Sequence, residues 1–184
     1  MKTTAILLIS TVLFLLAACG GGSTNATFIS SSDSGFVTVS IGDDDINDFD
    51  QAISEISQLV LIGDDKQIVL LDEPRTIDFL ALETVNEVLA ETEVPVGAYS
   101  KLRLAVDAID LIKLDINGAV AETVSVRLVA NGKVDIVPRG EFTVESDSTL
   151  VLDIDVDLAK SIKLTKTGNG RYIFRPVIFA DIVG

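Results

Sequence analysis

Residues 109–137 read IDLIKLDINGAVAETVSVRLVANGKVDIV, and this stretch decides the fold class because two Asn-Gly pairs interrupt its apolar runs. The first pair is Asn117-Gly118 and the second is Asn131-Gly132. An Asn-Gly pair readily takes the positive φ angles of a two-residue hairpin turn. Two consecutive hairpins of this kind predict an antiparallel sheet.

Shorter apolar runs on both sides of this stretch predict further strands. Val37, Val39 and Ile41 alternate with polar residues, which is the pattern of a strand with one buried face. Residues 52–62 are compatible with a helix or a strand, and we interpret them mostly as a strand. The remaining predicted strands are residues 67–71, 101–106, 141–144, 149–158, 161–164 and 171–182.

Two segments carry additional information about the sheet. Residues 84–91 place several apolar side chains on one helical face, which predicts two helical turns. Residues 171–182 are apolar on both faces in their middle, which predicts a central strand covered on both sides. Pro176 lies in that segment, and a proline there favours a bulge or a local edge.

These patterns predict an all-β domain over residues 35–184. Roughly ten strands at short spacing, with at most one short helix, are typical of an antiparallel β-sandwich. A domain of this length can bury a substantial hydrophobic core.

A second decisive stretch, Leu16-Ala17-Ala18-Cys19, closes an apolar run that follows Lys2. A positive residue, an apolar segment and small residues before a cut are typical of a secretory signal peptide. Because the only cysteine of the chain follows directly, we expect a lipoprotein signal. In that chemistry the thiol receives a diacylglyceryl group, the chain is cleaved before the cysteine, and the new amine is acylated.

The predicted organisation is therefore a signal peptide at residues 1–18, a lipidated N-terminus and flexible tether at residues 19–34, and the sandwich. The apolar run is shorter than the ~20 residues that cross a bilayer, which argues against an uncut anchor. A plain secretory signal that leaves Cys19 as a free thiol is the other alternative. Gly20, rather than Asp, follows the cysteine, which favours the outer membrane if the source is Gram-negative.

Composition excludes several classes of function. The chain has 28 Asp and Glu against 14 Lys and Arg, and its net charge of −14 repels nucleic acid and anionic lipid headgroups. It has no histidine, which removes the common nucleophilic triads and the commonest metal ligand. It has no tryptophan and two tyrosines, so few aromatic side chains are available to stack against a sugar. We expect no enzymatic activity and no cofactor.

Asp153, Asp155 and Asp157 alternate with apolar residues, so a strand would place the three carboxylates on one face. The simplest interpretation is a strand with one solvated face. Like charges along a strand repel, however, unless neighbouring Lys or Arg side chains or Ca²⁺ neutralise them. Asp43 and Asp45 offer further oxygen ligands in a predicted loop. Neither stretch matches an EF-hand, and calcium is the one metal ion that this sequence suggests.

Several short motifs, in their order and spacing, resemble a bacterial lipoprotein family that carries domain of unknown function 4382. The resemblance covers about residues 35–182. It implies a fold similar to prealbumin-like or immunoglobulin-like sandwiches, and it implies no established activity. The motifs are Asp72-Glu73-Pro74-Arg75 with Asp78-Phe79-Leu80 and Leu82, Val94-Pro95-Val96-Gly97-Ala98-Tyr99 with Leu102-Arg103-Leu104, Leu152-Asp153-Ile154-Asp155 with Lys160-Ser161, and Gly168-Asn169-Gly170-Arg171-Tyr172 with Arg175-Pro176-Val177.

The sequence therefore predicts a lipid-anchored module of the cell envelope with a non-catalytic binding or structural role. Cys19 would hold the membrane, and sheet edges or loops would contact a protein or a glycan. One alternative is a calcium-dependent adhesion or scaffolding domain, and another is an accessory domain of an envelope enzyme.

Overall fold

A period of two in the apolar residues dominates the chain, and strands dominate the structure. The computed structural model describes residues 34–44, 48–82, 85–139, 142–165 and 171–183, with only the backbone of residues 43 and 44. These residues belong to one compact unit, 31–184. In the described part of the chain, no helix is long and apolar enough to span a membrane.

Fifteen strands are found among the described residues, with one short helix, α1 (Leu158–Ser161), and two 3-10 turns, Phe79–Leu82 and Ala130–Gly132. The strands are β1 (Ser34–Asp44), β2 (Gln51–Ile62), β3 (Gln67–Leu71), β4 (Arg75–Asp78), β5 (Glu87–Pro95), β6 (Gly97–Tyr99), β7 (Lys101–Leu114), β8 (Val120–Ser125), β9 (Arg127–Leu128), β10 (Lys133–Ile136), β11 (Phe142–Val144), β12 (Thr149–Asp157), β13 (Ile162–Thr165), β14 (Arg171–Phe174) and β15 (Ile178–Ile182).

Two larger sheets form the sandwich. One has four strands in the order β15-β12-β1-β5, and the other has the order β10-β7-β2-β3, with β4 added to β2 and β8 added to β7. Two smaller sheets, β11-β6 and β13-β14-β9, complete the described strands. The predicted all-β sandwich with at most one short helix is confirmed.

One continuous core joins the sheets. Val37, Val39 and Ile41 of β1 are fully buried, as their alternation predicts, and β12 contributes a matching row of buried residues. The β2 and β7 strands face them from the other sheet, with side chains such as Leu59 and Leu104 in the same cluster. Burial of apolar side chains is the main stabilising term of this fold.

The pairing of β1 with β12 is parallel, with Ser40 opposite Asp153 and Gly42 opposite Asp155. The β9 and β14 strands are also parallel. The other strand pairs that the structure describes are antiparallel, so antiparallel pairing predominates as predicted, with these two parallel exceptions.

The predicted hairpins have different outcomes. At Asn117-Gly118 the hairpin of β7 and β8 is confirmed, although Gly118 takes a positive φ and Asn117 does not. At Asn131-Gly132 both residues have positive φ, but the predicted hairpin is wrong. The β9 strand pairs with β14 and β10 pairs with β7, so the chain turns there without pairing its two flanking strands.

The prediction that residues 171–182 form a single central strand is wrong. It divides into β14 and β15, which belong to different sheets, and β15 lies at the edge of its sheet. Pro176 lies in the crossing because proline has no N–H for the ladder. The buried Ser161 supports this crossing, since its Oγ accepts a hydrogen bond of 2.7 Å from the Val177 N–H.

The helix predicted at residues 84–91 is also wrong. Its described part from Glu87 onward is the start of β5, which pairs with β1. Pairing with a neighbouring strand overrides a local helical pattern when the same residues can bury one face of a sheet. Residues 52–62, by contrast, form β2 as we interpreted them.

The core contains one polar side chain that lowers stability. Ser54 on β2 is fully buried, and among the described residues its Oγ has no hydrogen-bond partner. We expect Ser54→Ala to raise the free energy of unfolding by about 1 kcal/mol, because it removes an unsatisfied buried hydroxyl. Urea denaturation would measure the change.

Ser57→Ala on the same strand is the matched control. Ser57 is half-buried and its Oγ donates a 2.8 Å hydrogen bond to Asp107, so its loss should lower stability by about 0.5–1.5 kcal/mol. If Ser54→Ala also lowered stability, the hydroxyl would have a partner in solution and the interpretation would be wrong.

Candidate functional site

The outward side of the four-stranded sheet brings acidic and apolar side chains together, and we call it the acidic face. Strand alternation points the inner residues into the core and leaves the others exposed or half-buried. Its members are Phe36, Thr38 and Ser40 on β1, Val88, Glu91 and Glu93 on β5, Thr149, Val151, Asp153 and Asp155 on β12, and Phe179, Asp181 and the adjoining Val183 on β15.

Two carboxylates of the acidic face lie opposite each other on neighbouring strands, one on β12 and one on the edge strand β15. Asp153 lies directly opposite Asp181 in the β12–β15 ladder. Like charges at opposed positions are destabilising unless other groups compensate them. The Ser40 Oγ and the Asn86 Nδ2 donate hydrogen bonds of 2.6 and 2.8 Å to Asp153 Oδ1, and these donors offset part of the repulsion.

Asp181 has a separate partner. Its Oδ1 lies 3.5 Å from Arg139 Nε, and both side chains are largely exposed. The Arg139 guanidinium also lies 5.3 Å from the centre of the Phe179 ring, which is a cation–π distance. Arg139 therefore covers one corner of the face, where it balances one of the two opposed carboxylates.

Gly42 allows the Asn86 side chain to lie over β1. A Cβ atom at residue 42 would lie 2.5 Å from the Asn86 Oδ1, so any larger residue would displace that amide. Asn86 would then lose its position as a donor to Asp153. The absence of a side chain at residue 42 thus helps to hold the hydrogen bonds around Asp153.

Asp157 has a different role from the other two aspartates of its strand. It is 4% exposed and is the N-cap of α1, where its carboxylate accepts a 2.8 Å hydrogen bond from the Lys160 N–H. The Lys160 Nζ also donates to it. The predicted row of three carboxylates on one solvated face is therefore wrong at its third member, because the strand ends there in a helical turn.

Hydrogen bonds from the Lys160 ammonium lower the pKa of the Asp157 carboxyl, although burial opposes this effect. A lowered folded-state pKa means that the ionised form stabilises the fold. This contribution is complete above the unfolded Asp pKa of about 3.9 and is lost as the pH falls through the lowered folded value.

We therefore expect Asp157→Ala to cost about 1–2 kcal/mol of unfolding free energy at neutral pH, since it removes a helix cap and an ion pair. The difference from wild type should shrink as the pH falls from about 4 through the lowered folded pKa. Asp157→Asn keeps a capping oxygen and should cost less. Chemical denaturation at several pH values would test this, and a pH-independent difference would contradict it.

The opposite sheet carries a second charged group, in which two cations share one carboxylate. Lys101 and Arg103 of β7 both pair with Asp135 of β10, at 2.7 and 2.6 Å. The hydrogen bonds from Arg103 and Lys101 hold the pKa of Asp135 well below its usual range. Because two positive charges face one negative charge, this cluster keeps a net positive charge, and its carboxylate is already engaged by both cations.

Among the described residues, the three predicted aspartates of β12 do not meet at one metal site. In the described residues, no three Asp or Glu side chains are grouped so that they could hold a metal ion. Asp153 and Asp155 lie on the acidic face and Asp157 caps α1. The side chain of Asp43, and Asp45 and Cys19 as a whole, lie outside the described residues, so calcium binding at the loop and lipidation stay predictions.

Sequence reasoning missed most of the acidic face. Phe36 could have been assigned from the alternation of β1, since its neighbour Val37 is buried. Phe179 and Asp181 could not be assigned to this face from the sequence, because residues 171–182 resemble one strand that is covered on both sides. No sequence pattern around Asn86 or Arg139 indicates a site, since these residues lie at the acidic face only once the chain has folded.

Comparison with known proteins identifies one match. A family model described as Domain of unknown function (DUF4382) matches residues 34–176, which is most of the chain. Searches of curated proteins and of solved structures give no significant match.

Proposed function

The chain belongs to the DUF4382 family, and from this premise we propose that it is a lipid-anchored, non-catalytic binding or structural module of the cell envelope. The family assignment brings no activity with it, so the proposal depends on the residues of this chain. Cys19 would attach the protein to the membrane, and residues 20–34 would give the domain reach.

The acidic face is the observation that carries the binding role. It combines exposed aromatic and aliphatic side chains with carboxylates, and the aromatic members are typical of protein interfaces. Phe36 is 45% exposed and Phe179 is 41% exposed. Val88 and Val183 add exposed aliphatic groups to the same face, and apolar groups gathered on one face are typical of an interaction surface.

A non-catalytic role is supported by the chemistry of the available side chains. The chain has no histidine, and its single cysteine is the proposed lipid attachment site. The carboxylates of Asp153 and Asp181 are held by Ser40, Asn86 and Arg139. An accessory domain of an envelope enzyme fits the same features, but no specific observation favours it.

Metabolic labelling tests the anchor directly. The full chain is expressed in a bacterium fed an alkyne fatty acid, and the label is then detected on the purified protein. We expect label and membrane association in wild type and loss of both in Cys19→Ser, because the other side chains offer no thiol. Equal labelling of the variant, or a soluble unlabelled wild type, would overturn the proposal.

The strand register is the observation that favours calcium as a second candidate. The parallel β1–β12 pairing sets the backbone of Asp43 and Asp44 beside Val156 and Asp157. The two acidic stretches thus reach the same end of one sheet. A calcium-dependent adhesion or scaffolding domain would use oxygen ligands from such a junction.

Thermal unfolding of the full chain in EDTA and in millimolar Ca²⁺ tests this candidate. If calcium binds the folded state, it must raise the unfolding midpoint. The rise should disappear in Asp43→Asn/Asp45→Asn, whereas the surface variant Asp64→Asn/Asp65→Asn should keep it. An unchanged midpoint in wild type would remove the calcium role and leave the lipid-anchored module.

A further inference from the structure

We propose that the acidic face docks an extended, cationic segment of a partner protein. This inference rests on the proposed function and adds the docking surface and the chemistry of the partner. Lys or Arg side chains of the segment would approach the carboxylates, and its apolar side chains would pack on Phe36 and Phe179.

The charge of the acidic face determines that a partner must carry positive charge. The described part of the acidic face includes the carboxylates of Glu91, Glu93, Asp153, Asp155 and Asp181. The net charge of the whole chain is −14, so long-range attraction also favours cations and disfavours nucleic acid and anionic lipid. Arg139 already satisfies Asp181 in part, and it shows that a guanidinium can sit over a carboxylate and an aromatic ring here.

The exposed apolar residues of the acidic face favour a protein segment over a free cation as the partner. Phe36 and Phe179 are both more than two-fifths exposed, and Val88 and Val183 are exposed at 50% and 63%. A simple metal ion or polyamine would leave these groups in water. A peptide that carries cationic and apolar side chains in turn at every second residue can engage both kinds of group, because residues i, i+2 and i+4 of an extended chain point to the same side.

The register of the sheet gives the size of the contact. Phe36 lies opposite Thr149 and Phe179 lies opposite Asp155, so the two rings are six positions apart along β12 and two strands apart. At a rise of about 3.3 Å per residue the separation is about 20 Å along the strands. An extended segment of about six or seven residues would reach from one ring to the other.

Binding of a synthetic peptide tests the proposal. The full chain, purified in a non-ionic detergent, is titrated with a peptide of about eight residues in which lysine and leucine take turns at every second position, with serine between them. The same peptide with glutamate in place of each lysine is the charge-reversed control. We expect the lysine peptide to bind and its affinity to fall with added salt, whereas the glutamate peptide should not bind.

Matched variants separate docking on this face from general attraction to an acidic protein. Asp153→Asn/Asp181→Asn and Phe36→Ser/Phe179→Ser should each weaken binding roughly tenfold or more. Asp64→Asn/Asp65→Asn makes the same charge change at an exposed turn, and Val69→Ser/Val120→Ser removes exposed apolar groups elsewhere. These control variants should bind the peptide with an affinity within about twofold of wild type, because their substitutions are remote from the proposed interface.

Three results would overturn the proposal. One is unchanged binding in both acidic-face variants, and another is an equal loss in the Asp64/Asp65 control, which would indicate attraction by net charge alone. The third is displacement of the peptide by a cationic aminosugar polymer at lower concentration, which would indicate a glycan site. Cys19→Ser should bind the peptide like wild type, so failure of docking and failure of lipid attachment are distinguishable.

Discussion

Replacement of Gly132 by alanine is expected to lower the free energy of unfolding by about 3–5 kcal/mol. Gly132 has a φ of +72°, and a Cβ atom there would lie 1.7 Å from the Val106 carbonyl oxygen. An L-residue would carry the cost of the left-handed conformation and would also push β7 away from the turn. Urea denaturation followed by circular dichroism would measure the loss.

Gly118→Ala is the control for this prediction. Gly118 has a similar φ of +78°, but a Cβ atom added to it would have no neighbour within 4 Å. Its substitution should therefore cost only the conformational term, about 1–2 kcal/mol. Equal losses at the two glycines would show that the close approach to Val106 is relieved without cost, which would contradict the packing described for this turn.

Phe79→Ala should have the other large effect, a loss of about 3–5 kcal/mol of unfolding free energy. Phe79 is 1% exposed and belongs to the 3-10 turn that follows β4, where it is part of the hydrophobic core. Removal of a buried ring loses the transfer free energy of its atoms and leaves a cavity. Thermal or urea unfolding of the full chain would measure it.

Phe36→Ala removes the same atoms from the acidic face and is the matched control. Because Phe36 is 45% exposed, its loss should cost less than about 1 kcal/mol. The pair of variants tests the assignment of the inner and outer sides of β1 and its neighbours. A larger loss at Phe36 than at Phe79 would contradict that assignment.

The sequence is most informative where one strand has one buried face. Val37, Val39 and Ile41 predict β1 and its orientation because burial on one side imposes a period of two. The Asn117-Gly118 turn is equally predictable from the sequence, since the segments on either side of it pair with each other. In both cases the signal and the contact that produces it are close in the sequence.

Long-range pairing explains what sequence reasoning missed. Asn131-Gly132 has the backbone angles of a hairpin turn, but the partners of its flanking strands are β14 and β7. The alternation of Asp153, Asp155 and Asp157 does not reveal that α1 begins after the third aspartate. Similarly, no local pattern places Asp181 opposite Asp153, so the acidic face could not be assembled before the sheet order was known.

The position of β1 has a consequence for the order in which the molecule folds. Its parallel partner lies more than a hundred residues later in the chain, as the Ser40–Asp153 hydrogen bond shows with a separation of 113 residues. Closing so long a loop costs conformational entropy before any contact compensates for it, and topologies with distant contacts fold in milliseconds to seconds, roughly. The β1–β5 pair can form earlier, but the four-stranded sheet cannot be completed until β12 has been synthesised. Until then the other edge of β1 lacks its partner, and an unpaired edge can pair with a chaperone or with another unfolded copy, so this interval carries the greatest risk of aggregation.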